Sequence, residues 1–447
     1  MTAVDLRRYH QVIGRTGLPV SEGRLLNVVG LVLEAGGCHA SIGDLYEVVD
    51  PEGSGVEAEV VGLRGDRTLL MPLGETHGLR VGSTLRRLGQ SAFVRVGQAL
   101  LGRVVDGLGR PLDGRGDVPL SAERPLYGAP RNPLLRRPVA ERFSVGVRVI
   151  DSLLTMGEGQ RIGVFAGGGV GKSSLLGMMV KSAVADVAVV ALIGERGREV
   201  EDFVNSTLGA NGLERAVVVV ATSADPPLLR ARGALYAATV ADYFRARGQK
   251  VLFVMDSLTR YAMARREIGL SVGEPPATKG YTPSVFTSLP QLLERAGNTA
   301  GPGSVTGVYT VLVEGDDMAD PIADAARAAL DGHILLSREL AERSHYPAVD
   351  VLSSVSRVMS TIASAEQMQL AGKARQTLST YREVADLMAV GAYRKGAVPE
   401  MDDAIARMPA LRTFLQQRGD QRCSADEALK MLAEVYRSSA HGKEQTS

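Results

Sequence analysis

One stretch constrains this 447-residue chain more than any other: Ile162-Gly163-Val164-Phe165-Ala166-Gly167-Gly168-Gly169-Val170-Gly171-Lys172-Ser173-Ser174. An apolar run breaks into a glycine-rich turn, and the turn ends in Lys-Ser where a helical pattern begins. Gly167, Gly168, Gly169 and Gly171, with Val170 among them, let backbone N–H groups converge on an anion where a Cβ would clash. Lys172 adds a cation for β- and γ-phosphates, and the Ser173 hydroxyl suits Mg2+. Ser174 continues the first helical turn, whose positive dipole end faces the same anion. The strict G-x-x-x-x-G-K-[ST] pattern asks for glycine at 166, where Ala166, the smallest replacement, stands. Weighed against a glycine-rich connection with a chance lysine, the strand before and the helix after favour a nucleotide's phosphates.

A chain this long exceeds one compact core and predicts two to four domains, about 100–200 residues each. Lys and Arg number 51 against 50 Asp and Glu, a formal charge of +1 that gives no global attraction to nucleic acid or to an anionic membrane. The two cysteines, Cys38 and Cys423, lie near opposite ends without metal-like spacing, which fits free thiols in a reducing compartment. The first residues have no apolar signal-peptide core, and runs such as Val187 to Ile193 fall far below the roughly 20 residues of a membrane helix. The expectation is a cytoplasmic protein, peripheral to a membrane at most.

In chain order, residues 1–23 read as a docking segment with one or two helical turns over 5–15, although a frayed terminus has the same signature. Residues 24–96 carry short strand-type runs, Leu26 to Leu33, Leu45 to Val49, Glu57 to Leu63, Thr68 to Pro72 and Ser83 to Leu88, punctuated by glycine turns: a small β-barrel. Residues 97–145, rich in Gly, Pro and Arg with turns at Asp106-Gly107, Asp113-Gly114, Ala129-Pro130 and Asn132-Pro133, form a linker laid over the next domain. Its basic run, Arg131, Arg136, Arg137 and Arg142, is read as solvated connection rather than anion site.

Residues 146–363 alternate buried strands with helices, as a parallel α/β sheet requires, and such sheets bind ligands at the carboxyl ends of their strands. The strand candidates are Ile162 to Ala166, Val187 to Ile193, Val217 to Ala221, Val251 to Asp256 and Val305 to Val313. Asp225-Pro226-Pro227 supplies a cap and a proline for the helix that Gly248 stops. Residues 364–437 turn helical, with Ala374, Leu378, Tyr381, Ala385 and Met388 at three- and four-residue spacing and a capping box at Ser424-Ala425-Asp426-Glu427. Residues 438–447 are a polar tail.

Phosphoryl transfer needs a metal-holding carboxylate, a carboxylate to orient the attacking water, and a cation for charge developing on the γ-phosphate. Asp256 closes the apolar run Val251 to Met255 and is placed to hold Mg2+. Glu195 ends the strand after the phosphate-loop helix and is the first candidate for the water, with Glu199 and Glu201 close enough to be confused with it. Arg196 follows Glu195 as a neighbouring cation.

Gly194-Glu195-Arg196-Gly197-Arg198-Glu199-Val200, Asp256-Ser257-Leu258-Thr259-Arg260-Tyr261-Ala262 and Gly273-Glu274-Pro275-Pro276-Ala277-Thr278-Lys279-Gly280-Tyr281 resemble the type III secretion ATPases, flagellar and injectisome, relatives of the catalytic subunits of rotary ATP synthases. Pro347-Ala348-Val349-Asp350 with Ser354 and Ser356 is similar to the signature of that wider superfamily. The likeness runs from about 146 to 360 and continues more weakly on both sides. It implies a central RecA-like P-loop ATPase domain between the barrel and a C-terminal helical bundle. It also implies ATP and Mg2+ as ligands and homohexameric rings with ATP at subunit interfaces. Arg357 matches the arginine that completes the neighbour's site, and Tyr346 the aromatic that packs on adenine. A regulator or stator at the N-terminal segment, chaperone–substrate complexes at the helical domain and an inner-membrane export gate are the partners so implied. Substrate release and unfolding at that gate is the implied work.

Three other functions compete. A rotary catalytic subunit is expected to carry glycine at 166 and Gly-Asn-Asp where Val200-Glu201-Asp202 stands. A non-catalytic nucleotide-binding subunit would not need Lys172, Glu195 and Asp256 together. A hexameric RNA translocase stacks bases on aromatic faces, and the barrel offers only Tyr46 and, at its margin, Phe93. Single-stranded RNA is therefore expected to bind weakly and to leave ATP hydrolysis unchanged. Steady-state rates with and without polynucleotide over a salt series check this, and strong salt-sensitive stimulation would select the translocase.

Overall fold

The computed structural model describes residues 23–437 except 91, 129–131, 314–316 and 318. The expected helical turns over 5–15, the turn at Ala129-Pro130, Arg131 and the tail 438–447 lie outside the described residues.

Alternating burial curls the first strands into a closed barrel: β1 (Gly23–Val29), β2 (Val32–Gly36), β3 (Asp44–Val49), β4 (Gly55–Arg64), β5 (Arg67–Pro72) and β6 (Thr84–Gln90), ordered β1-β2-β5-β4-β3-β6. Along β3 every second residue is buried, the period-2 signature of one face turned to a core. Leu25, Leu33, Tyr46, Val48, Leu70 and Leu85 fill that core. The single run expected from Leu26 to Leu33 is instead two strands, because Gly30 at φ +58° turns the chain between β1 and β2. Tyr46 is fully buried, so it offers no face for stacking a base.

The segment after the barrel is more than a connection. β7 (Phe93–Val96) pairs with β9 (Ala122–Pro125), while β8 (Val104–Asp106) adds the edge strand to the main sheet, parallel to β14 (Ala216–Thr222). A burial pattern of three residues is too short to be told from a turn in sequence. The arginines of this segment are anchors: Arg136 pairs with Glu294 at 2.7 Å, Arg137 donates to the carbonyls of Thr299 and Pro302, and Arg142 pairs with Asp426.

The chain then passes through the small ladder β10 (Arg142–Phe143) and β11 (Met156–Gly157) into β12 (Arg161–Ala166). β13 (Val187–Glu195), β14, β15 (Lys250–Asp256), β16 (Gly297–Asn298), β17 (Ser304–Leu312), β18 (Gly332–Leu336) and β19 (Val349–Ser356) complete the sheet. Its order is β19-β18-β12-β17-β15-β13-β14-β8, with β16 beside β17. β8, β12–β15, β17 and β18 run parallel; β19 returns antiparallel on β18. These strands read as unbroken apolar runs because both faces are covered. Val189, Ala191 and Ile193 face the helices Pro227–Ala246 and Leu258–Ser271, while Val190 and Leu192 face Lys172–Ser182.

Pro227 begins its helix as expected, but Asp225 does not cap it. Its carboxylate accepts from the N–H and hydroxyl of Thr222, closing the turn behind β14. Three helices, Ala365–Ala389, Pro399–Leu415 and Ala425–Arg437, form the C-terminal unit, and the capping box exists: Ser424 N–H donates to Glu427 at 2.8 Å and Glu427 N–H to the Ser424 hydroxyl at 3.3 Å.

Two nearly dry ion pairs brace the N-terminal parts, one between the barrel and the helix Pro227–Ala246 and one within the segment around β8. Arg232 meets Glu59 of the barrel at 3.0 Å, and the Tyr127 hydroxyl donates to the same carboxylate. Arg103 grips Asp113 through two donors, at 2.7 and 2.9 Å, at the edge where β8 joins. This guanidinium holds the Asp113 carboxyl well below the usual carboxylate range. Breaking one side of such a pair strands the other charge, so Asp113→Ala should cost roughly 3–5 kcal/mol at neutral pH. A carboxyl whose folded pKa is depressed contributes stability above its unfolded pKa, about 4, and loses it as pH falls. The gap between variant and wild type in denaturant unfolding should therefore close below that pH.

Candidate functional site

β12 ends at Ala166, and the next residues leave the sheet. Ala166 still pairs with Leu312 and is buried in extended backbone, so this position asks for a small side chain rather than a positive φ. Gly169 and Gly171 do sit at φ +78° and +87°, where L side chains are strained. Gly168 and Gly169 are exposed, and a Cβ at either would meet nothing within 4 Å, leaving their backbone open to a ligand. Gly171 caps the helix Lys172–Ser182, whose buried Leu175, Leu176 and Met179 seat it against the sheet. Ser173 and Ser174 are exposed in its first turn.

Lys172 points back over the strand ends. Its ammonium contacts the Asp256 carboxylate and lies 3.5 Å from Glu195. Asp256 closes β15, where the buried Thr310 hydroxyl of β17 donates to its Oδ1 at 2.7 Å. Glu195 closes β13 after a bulge at Gly194, φ +72°, which turns its carboxylate towards Lys172. Burial opposes the charge of Lys172, yet the two carboxylates outweigh burial and raise its pKa. Burial raises the Glu195 carboxyl to about 7, helped by its hydrogen bond with Glu199 and by the Asp256 charge. Glu199 is held low as the partner that keeps its charge. Three of the expected residues, Lys172, Glu195 and Asp256, thus converge at the carboxyl edge of the sheet.

Oxygen donors of this kind fit Mg2+. Asp256 offers a buried carboxylate and Ser173 an exposed hydroxyl beside the glycine cradle. Among the described residues no group of three or more His, Cys, Asp or Glu could hold a metal, so the remaining ligands would come from phosphate and water, as this ion prefers.

Tyr346 lies on the other side of the loop. A Cβ on Gly171 would stand 3.3 Å from two atoms of its ring, which is half exposed. Together they border a cavity of about 850 Å³ closed at its far end by Arg148 and the segment 416–421. That wall and Thr310 were not legible in sequence: Thr310 is one hydroxyl inside an apolar run, and residues 416–421 follow a helix end with no ligand motif.

Arg196 and Arg357 do not join this cluster. Arg196 is exposed and reaches Glu199 at 3.8 Å. Arg357 follows β19, where Ser356 pairs with Gly332 and the Arg357 N–H donates to the Asp331 carbonyl, level with the start of β12. The phosphate loop leaves the other end of β12, five residues further along (Arg161 to Ala166). At 3.3 Å per residue the two edges are about 16 Å apart. The exposed guanidinium of Arg357 therefore faces away from its own phosphate loop and donates to the Arg327 carbonyl.

With this geometry in place, the likeness to known proteins is specific. The nucleotide-binding domain of the ATP synthase alpha/beta family matches residues 146–356 and its beta-barrel domain residues 25–89. The T3SS EscN ATPase C-terminal domain matches residues 363–434. The chain is 51% identical over 434 residues to the flagellum-specific ATP synthase of Pseudomonas aeruginosa, covering 96% of each. It is 48% identical to the type 3 secretion system ATPase of Xanthomonas euvesicatoria, covering 92% of this chain and 93% of that one. Solved structures of the assembled ATPase EscN from the enteropathogenic E. coli type III secretion system, without and with its central stalk EscO, align at TM-scores 0.87 and 0.86. Their identities are 45% and 44%, with 92% of this chain and 99% of those covered in both cases.

The raised Glu195 carboxyl sets a pH dependence. If ionised Glu195 orients water, kcat/KM for ATP should rise with pH through about 7, since this ratio reports groups of the free enzyme. Glu199→Ala removes a contact that raises the Glu195 pKa, so the limb should move to lower pH; an unmoved limb would mean another group titrates there.

Proposed function

The chain belongs to the family of flagellum-specific and type III secretion ATPases, and from that premise we propose that its cycle of Mg-ATP hydrolysis releases export substrates from their chaperones and unfolds them. It is an ATPase of type III protein export; the rotary ATPases share its barrel and nucleotide-binding domains, whereas its C-terminal match is to the export family. The observation that carries the site assignment is the convergence of Lys172, Glu195 and Asp256 beside an open glycine loop.

In this reading the phosphates draw Lys172 away from Asp256 and on to the β- and γ-oxygens, while the N–H groups of residues 167–171 and the helix dipole take the remaining charge. Asp256, steadied by Thr310, and Ser173 would hold Mg2+, which when bound neutralises charge on the β- and γ-phosphates. Glu195 orients the attacking water and takes its proton. Tyr346 packs on the base. Arg357 acts on the neighbour's γ-phosphate, because its own lies at the opposite edge of the sheet; such a guanidinium makes hydrolysis depend on ring closure.

A homohexamer is part of the proposal, supported by the edge position of Arg357 and by the assembled state of EscN, and the stalk that EscN binds supports a comparable stalk here. A regulator at residues 1–23, chaperone–substrate complexes at 364–437, and a barrel at 24–96 joined through 97–145 to an ATPase domain at 146–363 complete the proposal. No described helix is long and apolar enough to cross a membrane. The protein is proposed to work in the cytoplasm, docked on the inner-membrane export apparatus.

Glu195→Gln should bind ATP while turnover falls, and Lys172→Ala and Arg357→Ala should each be nearly inactive, the arginine loss costing about a thousandfold or more. Mixed rings of Lys172→Ala and Arg357→Ala subunits should regain activity, since some interfaces then join an intact loop to an intact arginine. Wild-type turnover by Glu195→Gln would sink its assignment, and silence in rings shown to be mixed would sink trans action.

A further inference from the structure

Gln417 is 95% buried, and a buried amide must place all its polar atoms. Its bonds reach two distant segments, 146–148 and Tyr346, and close its own strap on Gln421. Its Oε1 accepts from the Arg148 N–H at 2.8 Å, and its Nε2 donates to the carbonyls of Gly146 and Gln421, each at 2.9 Å. Its own N–H donates to the carbonyl of Tyr346 at 2.9 Å. Gln417 lies just past the end of the helix Pro399–Leu415, in the segment that walls the 850 Å³ cavity opposite the phosphate loop. The Arg148 guanidinium reaches the Gln416 carbonyl of the same segment, and Leu175, Met178, Pro347 and Met431 give the space between a partly apolar lining.

We propose that Gln417 is a positioning residue for the nucleotide's base. Its side chain ties the strap 416–421 to the turn at 146–148 and so sets its own backbone N–H against the Tyr346 carbonyl, and the base finds a formed slot rather than two independent surfaces. The inference rests on the reading of the phosphate loop as the nucleotide site and adds to it a residue of the C-terminal helical unit that touches neither phosphate nor metal. Preorganisation is the physical reason: a ring and a strap already held need not be ordered when the ligand arrives. The slot accepts a flat heteroaromatic ring joined to a polyphosphate, and an anion without a base gains nothing from it.

The test compares a ligand with a base to one without, on the full-length protein. Gln417→Ala should weaken ATP about tenfold or more, the loss of one to two net hydrogen bonds, and the change should fall on KM more than on kcat. Competitive inhibition by Mg-tripolyphosphate, which keeps the phosphate chain but has neither ribose nor base, should change by less than about twofold. Gln417→Glu keeps an acceptor for Arg148 but sets a buried carboxylate oxygen against the carbonyls of Gly146 and Gln421, so it should weaken ATP at least as much as Gln417→Ala. Because Gln417 acts through Tyr346, adding Gln417→Ala to Tyr346→Ala should weaken ATP by clearly less than the product of the single effects. Equal weakening of ATP and tripolyphosphate would show a merely structural residue and overturn the proposal, as would unchanged ATP affinity or full multiplicativity with Tyr346→Ala. Failure of the underlying reading is separate: it would be seen in Lys172→Ala, as ATP and tripolyphosphate binding both indifferent to the lost lysine.

Discussion

A lysine ammonium held between two carboxylates, with little water around any of the three, is the interaction on which this structure turns. An uncompensated charge in such a place costs several kcal/mol, so each group requires the others until a polyanion arrives. The geometry depends on strand order. Lys172 leaves the loop after β12 and must reach across β17 to the ends of β15 and β13, and Thr310 on the intervening strand supplies the hydrogen bond that fixes Asp256. A ligand carrying several negative charges can take over the lysine, and the two carboxylates it releases then suit a divalent cation and a water.

That arrangement needs a rigid floor. Burial on both faces supplies it: alternate residues of β13 belong to opposite hydrophobic clusters, so no strand can slip by one position without carrying its whole pattern into the wrong layer. The barrel and the following segment extend this core, with Met71, Val96, Leu100 and Leu126 buried in the same cluster as Val189 and Ile193. Nearly dry ion pairs add direction to that apolar contact: Arg232 with Glu59 joins the barrel to the helix Pro227–Ala246, and Arg103 with Asp113 braces the turn beside β8.

Sheet polarity also sorts the two halves of the chemistry. The phosphate loop lies at the carboxyl edge and Arg357 at the opposite one, because β19 runs antiparallel to its neighbour and delivers its last residue to the amino edge. The two groups therefore stand at opposite edges of one subunit. The C-terminal helices meet the ATPase domain at Gln417, whose hydrogen bonds join them to the wall of the cavity beside the glycine loop.

What the sequence determined by itself was whatever is encoded over a few adjacent residues. The glycine loop with Lys172 and Ser173, the acids that end apolar runs at 195 and 256, the barrel's short alternating strands and the Ser424–Glu427 cap are all local, and local backbone geometry and strand periodicity dictate them. Even there, the turn at Gly30 and the backward bond of Asp225 to Thr222 depended on neighbours that a linear reading did not weigh. Tertiary structure alone decided which distant groups meet. Thr310 reaches Asp256 from 54 residues away, and Gln417 reaches Arg148 from 269. It also turned Tyr46 into the barrel interior, left Arg196 in solvent and set Arg357 on the far edge. The physical reason is that a lone hydroxyl, amide or guanidinium has no periodicity to announce it, and its partner is chosen by the packing of whole strands and helices rather than by the residues beside it.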